Sequence, residues 1–311
     1  MLQERARMMA RAREFFAARG VLEVDTPILG EGLVVESHID PIPCRVRTGL
    51  DGTVRRHLLT SPEGPMKRLL AMGSGPIYQI AHAFRDGESG RRHATEFSML
   101  EWYRPGFDHH ELMNEVEALV QALVPSVKAT SFLRRTYQQV FLEGAGIDPF
   151  ATSLDEIRAV CSRLNVPLPP SFDSGSVDDA LDLLLVTHLE PGLGKPAPTF
   201  VYEYPESQAA LAIVAPAASG HNVAQRFELY IDGIELANGY HELADGAEQR
   251  RRFELANRHR QTSGRPTLPI DEPLIAALNQ NFPACAGVAL GFDRLVMVAT
   301  GASDISSVRV C

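Results

Sequence analysis

The dipeptide Asp232-Gly233 stands between two apolar-rich runs, Ala224–Ile231 and Ile234–Tyr240. A two-residue turn of this kind admits only antiparallel pairing of its flanking strands, because parallel strands need a crossover of about a dozen residues or more. The same pattern recurs upstream. Ile77–Phe84 and Glu96–Tyr103 read as strands joined by the polar, glycine-rich hairpin loop Arg85-Asp86-Gly87-Glu88-Ser89-Gly90-Arg91-Arg92. Residues 37–60 read as two strands around Gly49-Leu50-Asp51-Gly52. Val21–Pro27, Thr199–Tyr204 and the short apolar Ala286–Leu290 read as further strands.

Between these lie helical patterns. Leu2, Ala6, Met9, Ala10, Arg13 and Ala17 recur three or four apart over residues 2–19, and Gly20 follows as a stop. Ser61-Pro62-Glu63 reads as a serine cap, a proline at the first helical position and an acid in the first turn, for a helix from Pro62 to Ala71 closed by Gly73. Asp108 caps a helix to about Val124. Residues 125–200 are weakly patterned, with helices near 153–164 and 177–188. Ala247–Thr262 reads as a charged helix, and Gly291-Phe292-Asp293-Arg294 opens the last one. With no repeat, low-complexity tail or linker, the 311 residues are expected to form one α+β domain spanning 1–311, an antiparallel sheet with flanking helices.

Net charge is −9, the wrong balance for a chain whose main task is to grip nucleic-acid backbone. Yet Arg85, Arg91, Arg92 and Arg104 cluster, and a basic pocket inside an acidic chain suits a small anion such as a nucleotide phosphate, if the cluster is not simply a solvated loop. No apolar run reaches the roughly 18 residues of a membrane helix. The start, Met1-Leu2-Gln3-Glu4-Arg5, is unlike a signal peptide, so a cytoplasmic protein without membrane contact is expected. Cys44, Cys161, Cys285 and Cys311 are far apart and read as isolated reduced thiols.

Three stretches carry chemistry. Arg85, at a strand end, suits bidentate grip of a phosphate, and Phe97 could stack on a flat base. Glu228, Glu235 and Glu242 recur every seven residues, and carboxylates on neighbouring strands can share a divalent cation with phosphate oxygens. Taken alone, these could equally be surface acids. Gly287-Val288-Ala289-Leu290-Gly291-Phe292-Asp293-Arg294 brings an arginine to a helix start, where backbone N–H groups also favour anions.

In this order the stretches resemble the three signature motifs of class II aminoacyl-tRNA synthetases, over essentially the whole chain. Pro27, after the first helix and strand, looks like the first motif, a dimer-interface element. Phe84-Arg85 through Glu96-Phe97 looks like the second, and Gly291-Phe292-Asp293-Arg294 like the third. Glu96-Phe97-Ser98-Met99-Leu100-Glu101-Trp102-Tyr103 and Gly233-Ile234-Glu235-Leu236-Ala237-Asn238-Gly239-Tyr240-His241-Glu242-Leu243 match the lysine branch. The catalytic region begins at residue 1, where lysyl-tRNA synthetases carry an anticodon-reading barrel first. Ser61-Pro62-Glu63, Leu100-Glu101-Trp102-Tyr103-Arg104-Pro105 and Ala289, where those synthetases place glycine, are similar to a family of paralogues that ligate (R)-β-lysine to a lysine of elongation factor P.

That resemblance implies ATP and Mg²⁺ as cofactors, lysine or (R)-β-lysine as substrate, elongation factor P as partner, a homodimer and no tRNA. It implies catalytic roles for Arg85 on the α-phosphate and Arg294 on the γ-phosphate. Nucleotide contacts would come from Asp86, Gly87, Ala94, Phe97, Glu235, Leu236 and Gly291, and metal ligation from Glu228 and Glu235. Ser61, Pro62, Glu63, Asn238 and Ala289 would line the substrate site, with Tyr103 and Glu242 on its side-chain ammonium. Gly87 stands where the family usually has Glu, and Ala94-Thr95 where it has Asn-Pro; Glu88 is expected to compensate one position along. The alternatives are a stand-alone amino-acid-adenylating or tRNA-charging enzyme, and a catalytically silent regulatory paralogue. A dimer would also cover Met9, Phe15 and Phe16, an apolar patch if left exposed.

Overall fold

The computed structural model describes residues 1–49, 52–127, 131–170, 172 and 175–309. Leu50 and Asp51 of the expected hairpin turn, and Cys311, lie outside the described residues. The chain opens with α1 (Leu2–Ala17), the short strands β1 (Leu22–Glu23) and β2 (Leu29–Gly30), the pair β3 (Ile42–Thr48) and β4 (Gly52–Leu58), and α2 (Glu63–Ala71). β5 (Ile77–Phe84) and β6 (Glu96–Pro105) form the long hairpin. α3 (His109–Leu123) follows, with a capping box between Asp108 and Glu111. Next come β7 (Leu133–Thr136), α4 (Tyr137–Ala145), α5 (Leu154–Arg163) and α6 (Val177–Leu184). The rest is β8 (Thr199–Pro205), β9 (Val214–Pro216), β10 (Asn222–Ile231), β11 (Ile234–His241), α7 (Gly246–Thr262), α8 (Glu272–Leu278), β12 (Cys285–Gly291) and α9 (Phe292–Thr300).

The main sheet runs β1-β5-β6-β12-β11-β10-β8-β7, with β9 on β10, and a smaller sheet runs β2-β4-β3. Every pairing in the main sheet is antiparallel except at its two edges, where β1 joins β5 and β7 joins β8 in parallel. Asp232 and Gly233 both take left-handed φ values, 53° and 71°, as a tight hairpin turn between right-twisted strands requires.

Local readings shift in four places. The Val21–Pro27 strand contracts to Leu22–Glu23, since proline donates no ladder hydrogen bond and Thr26 bonds Gln79 through its side chain instead. Pro62 is the cap residue rather than the first helical one, and the Ser61 hydroxyl accepts only a 3.5 Å contact from Glu63 N–H. The helix begun at Val177 changes at Leu185 into a π-turn ending at Leu189. β7 and α4 occupy a stretch without clear pattern, and β2, β9 and α8 were likewise not anticipated.

One sheet face packs on α1, α3 and α9 through residues such as Leu100, Trp102, Phe227 and Leu290. Phe16 stacks on Tyr78 at 4.3 Å and meets Trp102 edge-on at 5.4 Å. Phe15 and Phe16 are therefore buried within this chain and Met9 is half-buried, so the apolar patch expected to need a partner is covered internally. The exposed apolar residues described in this region are Met1 and Leu2 at the chain start and Leu22, Ile28 and Leu29 after α1. A second core joins α4, α5 and α6 to β8 and β10.

Arg260 of α7 is wholly buried and holds residues 36–40 beside the open face of the sheet. It donates to the carbonyls of Glu36 (3.1 Å), Ile39 (2.9 Å) and Pro266 (2.9 Å) and to Asp40 Oδ1 (2.5 Å). Arg260→Met would strand the three carbonyls and leave Asp40 to Arg265 alone. The expected loss is roughly 3–5 kcal/mol, a fall in Tm on the order of 10 °C. Thermal unfolding followed by circular dichroism reads it, and a fall under about 3 °C would mean the segment is held by other contacts.

Candidate active site

The other face of the sheet is the floor of a cavity of about 330 Å³. Alternation on β6 sends Leu100 and Trp102 into the helical core and turns Phe97, Met99, Glu101 and Tyr103 to the cavity. Strand register then lines up rows across the floor. One row runs Glu101–Ala289–Asn238–Glu228, the next Tyr103–Gly287–Tyr240–Arg226. Gly287 leaves room that no side chain could share. A Cβ there would lie 2.4 Å from Glu242 Oε1 and 2.3 Å from the Tyr103 ring.

One end of the cavity is acidic. Glu101 and Glu242 are buried, and Glu63 stands opposite them on α2. Lys67, one turn along α2 and also buried, places its Nζ 2.6 Å from Glu63 Oε1 and 2.7 Å from Glu242 Oε2. Glu242, expected to face a substrate ammonium, thus already has a cation of the chain itself beside it. The acid left short is Glu101: Tyr103 donates its hydroxyl to Oε1 at 2.7 Å, while Oε2 is buried with no hydrogen-bond partner among the described residues. Burial, then repulsion from Glu63, raises the Glu101 carboxyl to about 8. Burial raises Glu242 to about 7 against the opposing pull of Lys67.

The other end is basic. Arg85 leaves β5 with its guanidinium 5.0 Å from the Phe97 ring centre and 3.5 Å from Glu88 Oε1, and its Nε is buried with no hydrogen-bond partner among the described residues. Glu88 therefore lines the cavity beside Arg85, one position after Gly87. Gly87 occupies a left-handed turn (φ 75°) that a Glu would strain. Asp86 and Gly87 do not line the cavity; Asp86 N–H donates to Asp40 O at 2.7 Å and its carboxylate accepts from Gly87 N–H. Pro62 is also off the lining, whereas Ser61, Ala94, Leu236 and Gly291 are on it. Arg294 donates to Glu235 O (2.8 Å) and Arg92 O (3.1 Å) and stands 2.7 Å from His93 Nε2. Burial and Arg294 lower the pKa of His93, so a neutral ring can accept that bond. Asp293 next door is fastened by Arg5 of α1 at 2.5 Å and by Ser98 N–H at 2.9 Å.

Among the described residues no three His, Cys, Asp or Glu side chains form a ready metal cage. The two candidate ligands differ. Glu228 already accepts from Arg226 (2.5 Å), Tyr204 (2.6 Å) and Tyr230 (2.5 Å). Glu235 is half-exposed, with Arg294 3.6 Å from Oε2. Burial, then Glu228, raises the Glu235 carboxyl, and Glu190 nearby rises to about 7 from burial and from Glu235 and Glu228. Glu235 keeps a partly exposed carboxylate beside Glu228, and oxygen donors of this kind would fit a hard divalent cation. Sequence reading missed Lys67, Glu101 and Arg226. Only Glu101 left a signal, an acid in step with Phe97 and Tyr103 on an otherwise apolar strand.

A protein-family profile described as tRNA synthetases class II (D, K and N) matches residues 1–310. Proteins named elongation factor P–(R)-β-lysine ligase are similar to this chain. That of Yersinia enterocolitica is 47% identical over 308 residues, covering 99% of this chain and 93% of the relative. Those of Yersinia pestis and Yersinia pseudotuberculosis give the same identity and coverage.

A ligand ammonium should bind the acidic end more tightly as pH rises through about 7 and about 8. Below that window Glu101 and Glu242 are protonated and neutral; above it they are anionic and attract the cation. Titration calorimetry should show affinity rising up to about tenfold per pH unit for each group that ionises. A flat profile would remove both acids as titrating contacts.

Proposed function

The chain belongs to the class II tRNA synthetase family (D, K and N), and we propose that it is the ligase that activates (R)-β-lysine with ATP and joins it to a lysine of elongation factor P. The observation that carries this reading is one cavity with two opposite ends. Glu63, Glu101, Tyr103 and Glu242 form an acidic end for a substrate with two ammonium groups, and Arg85 and Arg294 a basic end for triphosphate. The substrate carboxylate lies between them and attacks the α-phosphorus. The P–O bond to pyrophosphate breaks, and a mixed anhydride with AMP forms. Two anions must meet, so catalysis is charge neutralisation and positioning; the carboxylate nucleophile needs no base.

Arg85, with its unpartnered Nε, would take the α-phosphate and Arg294 the γ-phosphate. Phe97, which lines the cavity with Ala94 and Leu236, would stack on the base. Glu235, with Glu228, would hold Mg²⁺, which supplies positive charge to the phosphates when bound. In the transfer step the neutral acceptor lysine amine attacks the carbonyl carbon, the C–O bond to AMP breaks, the nitrogen gives up one proton to solvent, and an amide remains. Ala289 stands between Glu101 and Asn238 in the floor, where its methyl narrows the space beside the substrate and favours the shifted amine of the β-isomer. Among the described residues no helix is long and apolar enough to cross a membrane, and a translation-related role places the enzyme in the cytoplasm.

The reading is tested by ATP–pyrophosphate exchange with (R)-β-lysine and lysine side by side, and by the mass of elongation factor P after reaction. (R)-β-lysine should be preferred, and the acceptor should gain one lysyl unit. Exchange without any mass gain would point to a free adenylating enzyme. Glu235→Gln should cut kcat for exchange by roughly a hundredfold or more and leave Tm unchanged. Parent-like exchange at saturating Mg²⁺ would exclude Glu235 as a metal ligand. Exposed Leu22, Ile28 and Leu29 support a homodimer through the β1–β2 region, which a monomer mass by light scattering at micromolar concentration would rule out.

A further inference from the structure

We propose that Lys67 is a resident ammonium of the substrate pocket, a positioning residue that ties Glu63 to Glu242 and sets how many further positive charges the pocket accepts. The inference rests on the reading of this cavity as the site of a diammonium substrate.

Lysine is almost never fully buried unless paired. Lys67 is 1% exposed, and its two partners come from different parts of the chain, Glu63 one helical turn earlier and Glu242 just past β11. Its helical neighbours Met66 and Leu70 are buried apolar residues, and an apolar side chain at 67 would avoid the desolvation of an ammonium. It would also leave two facing carboxylates with no cation between them.

The charged and titratable groups around Lys67 can be followed element by element. α2 presents Glu63, the segment after β11 presents Glu242, β6 presents Glu101 with Tyr103, and β12 presents the buried Cys285 thiol. α8, packed on α2, presents Asp271, which is bound to Arg68 at 2.6 Å. The remaining cavity acid on this side, Glu36, is set against Arg85 and Arg226 as well as Glu63. Burial alone would depress the Lys67 ammonium, and Glu242 and Glu63 more than reverse that, so it stays charged. Once all three are ionised, Glu63, Glu101 and Glu242 against one resident ammonium leave room for two more. A lysine isomer supplies two, while a mono-ammonium amino acid leaves one buried carboxylate unmatched.

Lys67→Met, Lys67→Gln and the charge-keeping Lys67→Arg test this by ATP–pyrophosphate exchange. Met and Gln should raise KM for the lysine isomer by roughly thirtyfold or more, with KM for ATP within about threefold of the parent. Lys67→Arg should recover most of the loss. Without the resident cation the three acids repel each other more strongly, so the rise of kcat/KM with pH should move up by about one unit in Met and Gln and stay in place in Arg. If Met does not fold, as judged by Tm, the Gln and Arg pair carries the comparison. Folded neutral variants with parental KM for the lysine isomer and an unmoved pH limb would overturn the proposal and leave Lys67 a packing residue. If the parent itself shows no exchange with either lysine isomer, the functional reading fails instead.

Discussion

Carboxylates buried on one face of a sheet must each find a positive or hydrogen-bonding partner, and the arrangement of this protein follows from that need. Glu228 finds Arg226 and two tyrosines, and Glu242 shares Lys67 with Glu63. Glu101 finds only Tyr103 and keeps one oxygen unsatisfied. Glu242 Oε2 has the Lys67 ion pair, whereas Glu101 Oε2 has neither ion pair nor hydrogen bond among the described residues, and that is where binding energy remains available. Removing one partner from such a network leaves a buried charge, which is why apparently minor cationic residues matter here.

Much of the sheet was legible because its turns are short. Asp232-Gly233 dictated one pairing and the loop after Arg85 another. Arg85, Phe97, Glu235 and Arg294 are grouped in one site only by the resemblance to the synthetase motifs, because the strand that joins the two hairpins, β12, pairs non-locally. Lys67 was not legible, because Met66-Lys67-Arg68-Leu69 reads equally well with the lysine in water; only the position of Glu242, far along the chain, turns it inward. Phe15 and Phe16 misled for the related reason that helix periodicity shows an apolar face without showing what covers it. β7, Leu133-Arg134-Arg135-Thr136, is a polar edge strand whose parallel partner is remote in sequence, so neither alternation nor a turn announces it.

The two chain ends also meet at the site. Arg5 in the first helix reaches Asp293 and Ser98, which fixes the start of α9 and thereby the aim of Arg294. Arg294 is positioned by contacts that begin nearly three hundred residues earlier, and helix packing and site geometry are here the same contacts.

Gly287 gives this arrangement an evolutionary consequence. Any larger residue there must evict Glu242 or Tyr103 from their present places, so drift at this one position is forbidden while those two remain. A descendant of this chain could adopt a substrate of different charge only by changing all three sites together. The intermediates on that path would carry either a clash or an unmatched buried acid. The missing methyl group therefore acts as a ratchet, holding Glu242 and Tyr103, and with them the acidic end of the cavity, in place.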